Sequence, residues 1–77
     1  MKYTVYEVDG NSRELSVPSG DEAELLALQN AVGGYIELSN IQGSLVYVNE
    51  DGIRLKLPEN KKFPQFLGPV IVMEKES

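Results

Sequence analysis

The segment 60–68 contains the residue types best suited to binding a charged ligand. Lys61 and Lys62 place two positive charges side by side. Phe63 and Phe66 add aromatic rings, and nearby prolines restrict the chain around them. Lysine attracts phosphate, and an aromatic ring stacks on a nucleobase. The segment therefore predicts a nucleotide pocket, and the structural alternative is a hydrophobic flap with a solvated basic tip.

Glu37 and Glu50 are the two carboxylates that we consider as an acid–base pair. Glu37 falls on the polar face of a predicted strand. There it can form a cross-strand ion pair with Arg54 or Lys56, or accept a hydrogen bond from a ligand amide or base edge. Asn49 and Glu50 fit a turn by propensity, and Asn60 can brace its own loop. Because nothing in the spacing makes the two carboxylates converge, we predict no enzymatic activity.

The composition disfavours several classes of site and partner. The sequence has no histidine, cysteine or tryptophan. We therefore predict no metal and no cofactor, since zinc, haem and thiol chemistry lack their usual ligands. The net charge of −5 makes duplex nucleic acid a poor partner. Residues 1–10 lack the apolar run of a signal peptide, and no segment is apolar enough to span a membrane. These features predict a cytoplasmic protein without membrane contact.

The length of 77 residues predicts one domain, 1–77, which begins with a β-hairpin. Residues 2–8 are rich in β-branched and aromatic types, residues 13–18 alternate, and "DGNS" between them is a turn signal. A helix follows the hairpin. Ser19 and Glu22 have the spacing of a capping box, and further acids in the first turn suit the helix dipole.

The chain after the helix predicts β-structure. Segment 35–41 alternates, and so does segment 53–57, which is predicted to pair with segment 44–48 through the turn "NEDG". Segment 70–73 is a continuous apolar run, typical of a strand buried on both faces. The order β-β-α-β-β-β-β indicates a small α+β domain with one helix packed on a largely antiparallel sheet. So small a core with an exposed edge strand also predicts a homo-oligomer.

Gly33 and Gly34 directly follow the predicted helix, and this position limits what they can bind. Phosphate-binding loops place glycines before a helix, where free amides and the positive end of the dipole face the anion. After a helix, free carbonyl groups point outward, so we reject a phosphate cradle. Gly33 is the expected left-handed residue at the helix end. Gly34 needs a second reason, either a sharp reversal into the next strand or the close approach of another backbone or a ligand.

Four sequence blocks follow one another along the last two thirds of the chain. They are "LQNAVGGYIE" at 28–37, "VNEDG" at 48–52, "LPEN" at 57–60 and "GPVIV" at 68–72. Together they resemble the signature of a small family from phages, large DNA viruses and bacteria, known only as a domain of unknown function. The resemblance implies a viral or mobile-element origin and no established activity. It also implies that one set of residues matters together: Gly33, Gly34, Tyr35, Glu37, Asn49, Glu50 and Asn60.

Two departures from the family pattern lie near the candidate loop. Lys61, Lys62 and Phe63 stand where the family often has a small residue and threonine. Pro69 stands where an acidic residue is common. A function that the resemblance ties to this loop therefore does not transfer directly to this chain.

Two functions remain open from the sequence. One is a small non-catalytic binding protein that sequesters a nucleotide or cyclic dinucleotide signal of host defence in the host cytoplasm. It requires the two lysines and an aromatic ring to converge on one pocket. The other is a protein-interaction module or inhibitor that presents an open acidic surface to a host protein. The candidate ligand-binding residues are Gly33, Gly34, Tyr35, Glu37, Asn49, Glu50, Arg54, Asn60, Lys61, Lys62 and Phe66.

Overall fold

The computed structural model describes residues 2–74, which form one helix and a five-stranded sheet. In chain order the elements are β1 (Lys2–Tyr6), β2 (Ser12–Leu15), α1 (Asp21–Val32), β3 (Ile36–Ile41), β4 (Ser44–Asn49) and β5 (Val70–Glu74). All neighbouring strands are antiparallel, in the sheet order β2-β1-β5-β4-β3. This arrangement confirms the predicted α+β class, with one helix packed on an antiparallel sheet.

The helix α1 covers one face of the sheet. Its buried residues Leu28 and Val32 pack in one cluster with Tyr3 and Val5 of β1 and Ile71 of β5. The spacing of Leu28 and Val32 is one helical turn, so both side chains point to the same side of α1. We call this side of the sheet the helix face.

The loop between β4 and β5 covers the opposite face, which we call the loop face. Val46, Val48 and Val70 are buried there, and the half-buried rings of Phe63 and Phe66 pack on them. Val70 and its neighbour Ile71 are both 0 % exposed, although successive strand residues point to opposite faces. The prediction that segment 70–73 is a strand buried on both faces is therefore confirmed.

The prediction of a further strand at 53–57 is wrong, because residues 51–56 form consecutive turns. A hairpin with 44–48 would need a free edge of β4, but β4 lies between β5 and β3. The alternating pattern also has little to pack against, since Ile53 is 85 % exposed. The chain instead folds back on itself, with the Leu55 N–H donating to the Asp51 carbonyl at 2.8 Å.

The predicted capping box is also wrong. The N-cap residue of α1 is Gly20, and no side chain caps this helix end. Gly20 has φ +108°, and its carbonyl accepts the first helical hydrogen bond from Glu24 at 2.8 Å. Because the helix begins one residue later than a Ser19 cap requires, Ser19 and Glu22 lack the reciprocal spacing from the N-cap. The acidic first turn is present, and its charges favour the positive end of the dipole.

The helix ends as predicted, with Gly33 in the left-handed region at φ 78° and ψ 22°. The next amide, that of Gly34, donates to the carbonyl of Gln29 at 3.1 Å. A hydrogen bond that spans five residues in this way is typical of a Schellman ending. It satisfies a helix carbonyl and turns the chain towards β3.

Gly33→Val is expected to lower the free energy of unfolding by at least about 1 kcal/mol more than Gly33→Asn, because asparagine tolerates the left-handed region and valine does not. Apart from its chain neighbours, no heavy atom of residues 2–74 lies within 4 Å of the position of an added Cβ. The difference therefore reports the backbone conformation rather than a clash. Urea denaturation of both variants measures it, and equal losses would contradict the left-handed cap.

Candidate functional site

A cleft of about 410 Å³ opens on the loop face, between the β3–β4 hairpin and the loop that follows β4. Its charged lining consists of Glu37, Glu50 and Glu59, and its apolar lining includes Phe66 and Leu67. We call it the acidic cleft. Among the residues that the structure describes, no lysine or arginine lines it.

Three separate segments bring the glutamates to the acidic cleft. Glu37 lies in β3, and Glu50 directly follows β4. The Glu50 N–H donates to the carbonyl of Tyr35 at 2.9 Å, which holds the end of β4 against the start of β3. Glu59 is held by an isolated β-bridge to Leu67. The convergence of Glu37 and Glu50, which the spacing did not indicate, therefore follows from the pairing of β3 with β4.

Asn49 connects the end of α1 to the turn after β4. Its side-chain Nδ2 donates to the carbonyl of Val32 at 3.0 Å, and its Oδ1 accepts the N–H of Asp51 at 2.8 Å. A Cβ placed on Gly34 would stand 3.0 Å from the same Nδ2. Close approach therefore explains Gly34, and the group that approaches is the Asn49 side chain rather than a backbone or a ligand.

Asn60 is 0 % exposed and organises the second half of the β4–β5 loop. Its Nδ2 donates to the carbonyls of Tyr6 at 2.9 Å and Gly68 at 3.0 Å. Its Oδ1 accepts the N–H groups of Lys62 and Phe63, both at 3.0 Å. These four bonds use the two donors and the two acceptor positions of the amide. Asn60 thus braces the loop, and its amide has no capacity left for a ligand.

The residues of the predicted nucleotide pocket do not share one cleft. Lys61 and Lys62 are exposed, and neither lines the acidic cleft that contains Phe66. Phe63 packs edge-on against Tyr6, with ring centroids 5.2 Å apart, and lines a second cleft of about 240 Å³. The two lysines do not line that cleft either. The convergence that a nucleotide pocket requires is therefore missing from both clefts.

Three other candidate residues lie outside the acidic cleft. Gly33 ends the helix, and Tyr35 is 66 % exposed. Arg54 pairs with Asp51, with Nη2 to Oδ2 at 3.1 Å. Its hydrogen bond to Asp51 lowers the pKa of that carboxyl and raises the pKa of the guanidinium. The alternative of a cross-strand ion pair of Glu37 with Arg54 or Lys56 is wrong, because both residues lie in turns rather than in a strand.

Sequence reasoning identified four residues of the acidic cleft and missed its third glutamate. The four are Glu37, Asn49, Glu50 and Phe66. Glu59 stands between Lys56 and Lys61 in the sequence and is not among the candidate residues. Its signal was its place inside the "LPEN" block, directly before the buried Asn60.

The lining of the acidic cleft determines which groups it attracts. Three carboxylates produce a negative potential, which favours ammonium or guanidinium groups and repels phosphate. The apolar lining adds a surface that an alkyl stem or a ring can cover. Within residues 2–74, the acidic side chains form no group of three or more that could hold a metal ion. Over the same range, no helix has the length and apolar character needed to cross a membrane.

Comparison with known proteins places the chain in a family. No curated protein and no solved structure matches it. The profile of one family, described as a domain of unknown function, matches residues 1–77. The match extends over the hairpin, the helix and all the segments that line the acidic cleft. The chain therefore belongs to the DUF3846 family.

Proposed function

We propose that this domain is a non-catalytic binding protein that binds a basic segment of a partner protein in the acidic cleft. The observation that carries the proposal is the lining of this cleft. Glu37, Glu50 and Glu59 surround an apolar surface, and no described lysine or arginine neutralises them there. Each glutamate comes from a different segment, so the tertiary fold brings the three charges to one cleft.

A single exposed ion pair contributes only about 0–1 kcal/mol. Binding through this cleft therefore needs apolar contact in addition to charge pairing. An arginine or lysine side chain offers both, because its alkyl stem can cover Phe66 and Leu67 while its charged end reaches a carboxylate. The net charge of −5 adds long-range attraction for a basic partner and raises its association rate.

A nucleotide or cyclic dinucleotide is the competing ligand. It is supported by the exposed positive charges of Lys61 and Lys62. The negative charge of the acidic cleft favours the protein partner, because a phosphate placed there would face carboxylates. Resemblance to phage and viral sequences supports a host protein in the cytoplasm as the partner, with the domain acting as an inhibitor or adaptor.

The site is tested by following backbone amides in a ¹H–¹⁵N NMR titration with N-acetyl-phenylalanyl-arginine amide. We expect concentration-dependent shifts at Glu37, Glu50 and Gly52, because the guanidinium and the ring fit the two kinds of lining. The matched probe, N-acetyl-phenylalanyl-glutamate amide, should leave these amides unchanged. Equal shifts with both probes, or no shift with either, would contradict the proposal. Shifts at Lys61 and Lys62 on addition of ATP, without shifts in the cleft on addition of the arginine probe, would favour the nucleotide.

A further inference from the structure

The strand β3 lies at one edge of the sheet formed by residues 2–74. Gln42 and Gly43 connect it to β4 with φ 49° and 89°, as in a two-residue turn with both central residues left-handed. Ile41 and Ser44, which flank such a turn, form a hydrogen-bonded pair. Hydrogen-bonded pairs alternate along the ladder. The backbone groups of Leu38 and Asn40 therefore point away from β4, towards the open edge.

The edge strand separates two surfaces that lie on opposite faces of the sheet. On the loop face, Glu37 lines the acidic cleft. On the helix face, Ile36 lines a groove of about 250 Å³ together with Leu25 and Tyr47, which we call the helix-side groove. Leu38 lies opposite Tyr47 in the register and is 54 % exposed. The same strand thus offers charge on one face and an uncovered apolar surface on the other.

We infer that the partner binds as an extended strand that pairs with β3 and continues the sheet. In such β-augmentation, main-chain hydrogen bonds supply affinity and alternate side chains enter pockets for specificity. Side chains of an added strand that point to the loop face would meet Glu37, and those that point to the helix face would meet Leu38. The recognised segment therefore alternates basic with apolar residues. This inference rests on the proposed function and specifies the partner of the same cleft.

Charge distinguishes a foreign segment from a second copy of this chain. The helix-side groove is bordered by Asp21 and Glu24, and the other face by the acidic cleft. Pairing of two β3 strands would bring these acidic borders together in a protein of net charge −5. The acidic residues that border both surfaces therefore favour a segment with positive charge over a second copy of this chain. The predicted homo-oligomer, if it forms, therefore uses another surface.

Hydrogen exchange at the edge of β3 tests this inference. The probe is a short capped peptide in which lysine and valine alternate, and the control peptide has the same composition with the lysines grouped together. We expect the alternating peptide to slow exchange of the Leu38 and Asn40 amides by at least about tenfold, since only a paired strand protects outward amides. The grouped peptide should give little protection, because its charges cannot all face one side.

Two variants of Leu38 separate backbone pairing from side-chain contact. Leu38→Pro removes the outward N–H without touching the ladder to β4, and proline is tolerated in edge strands. Leu38→Ala keeps the N–H and shortens the side chain. Because Leu38 also contacts the partner's side chains, the alanine variant should bind the peptide more weakly but still protect the Asn40 amide at saturating peptide. The proline variant should lose that protection at every peptide concentration. If the proline variant does not fold, strand pairing is decided by the protection of the Leu38 and Asn40 amides in the unmodified protein.

Each other outcome has a distinct meaning. Shifts in the acidic cleft without protection of Leu38 would overturn strand pairing and leave the proposed function standing. Equal binding of the two peptides would also overturn it, because alternation would then be irrelevant. Failure of both peptides to bind would overturn the inference and the proposed function together. A protein that sediments as a dimer with Leu38 already protected would show that a second copy occupies the edge.

Discussion

Asn60→Ala is expected to lower the free energy of unfolding by at least about 4 kcal/mol, because it leaves four backbone groups without this partner and each such buried group costs about 1–3 kcal/mol. A domain of this size has about 4–12 kcal/mol of stability at the usual value per residue. The substitution therefore removes a large part of it, and urea denaturation followed by circular dichroism measures the loss.

Asn40→Ala is the matched control for this prediction. Asn40 is an exposed asparagine whose Oδ1 accepts one N–H, that of Gly43, at 2.9 Å. Its replacement should cost about 0.5–1.5 kcal/mol, the usual net contribution of one hydrogen bond. Similar losses from the two substitutions would show that Asn60 does not brace the loop.

Asn49→Ala is expected to cost about 2–3 kcal/mol, because it removes a buried bond to Val32 and another to Asp51. The sharper result concerns its coupling to Gly34. Gly34→Ala alone should destabilise the protein, since the new Cβ would stand 3.0 Å from the Asn49 amide nitrogen. In the Asn49→Ala background that crowding is gone, so the same change should cost at least about 0.5 kcal/mol less.

A double-mutant cycle measured by urea denaturation determines this coupling. Gly34 does not have a positive φ, so alanine at this position requires no left-handed backbone conformation. The coupling therefore reports the contact with Asn49 alone. Additive losses within experimental error would show that the two residues are independent and that Gly34 has another role.

Local patterns predicted the parts of the fold that local chemistry determines. Gly33 adopts the left-handed region because a helix end needs it, and β1 pairs with β2 across a turn-forming segment. The apolar run 70–73 indicated a strand buried on both faces, which its central place in the sheet confirms. The predicted capping box is wrong because the N-cap is Gly20 rather than Ser19. The spacing of Ser19 and Glu22 cannot reveal that the helix begins one residue later.

The misplaced strand at 53–57 has a non-local cause. Its alternation suited a strand, but the sheet order leaves no edge of β4 for it to pair with. That order is set by β1 and β5, which are far apart in sequence and pair in the centre. A pattern read within one segment cannot reveal that a pairing position is already occupied.

The candidate site shows the same limit. Glu37 and Glu50 were identified by type, but their convergence depends on the pairing of β3 with β4. Phe63 was expected to serve a ligand, whereas it packs on the loop face against Tyr6. Residue types indicated which side chains to suspect, and only the tertiary structure determined the sign of the charge around the cleft.

The most direct measurement of the central claim is isothermal titration calorimetry with the alternating lysine–valine peptide and, in parallel, with ATP. The reference protein is compared with a variant that carries Glu37→Gln, Glu50→Gln and Glu59→Gln, which keeps the side-chain shapes and removes the charges. A second variant, Lys61→Glu with Lys62→Glu, changes the exposed lysines instead. All three proteins are titrated at two salt concentrations.

An acidic cleft that binds a basic partner predicts peptide binding that weakens as salt rises, since surface charges are screened over about 10 Å at 0.1 M. Affinity should fall at least about tenfold in the glutamine variant, about 1.4 kcal/mol, and should not fall in the lysine variant. ATP should not bind. The opposite pattern, in which ATP binds, the lysine variant loses that binding and the peptide does not bind, would contradict the assignment of the acidic cleft.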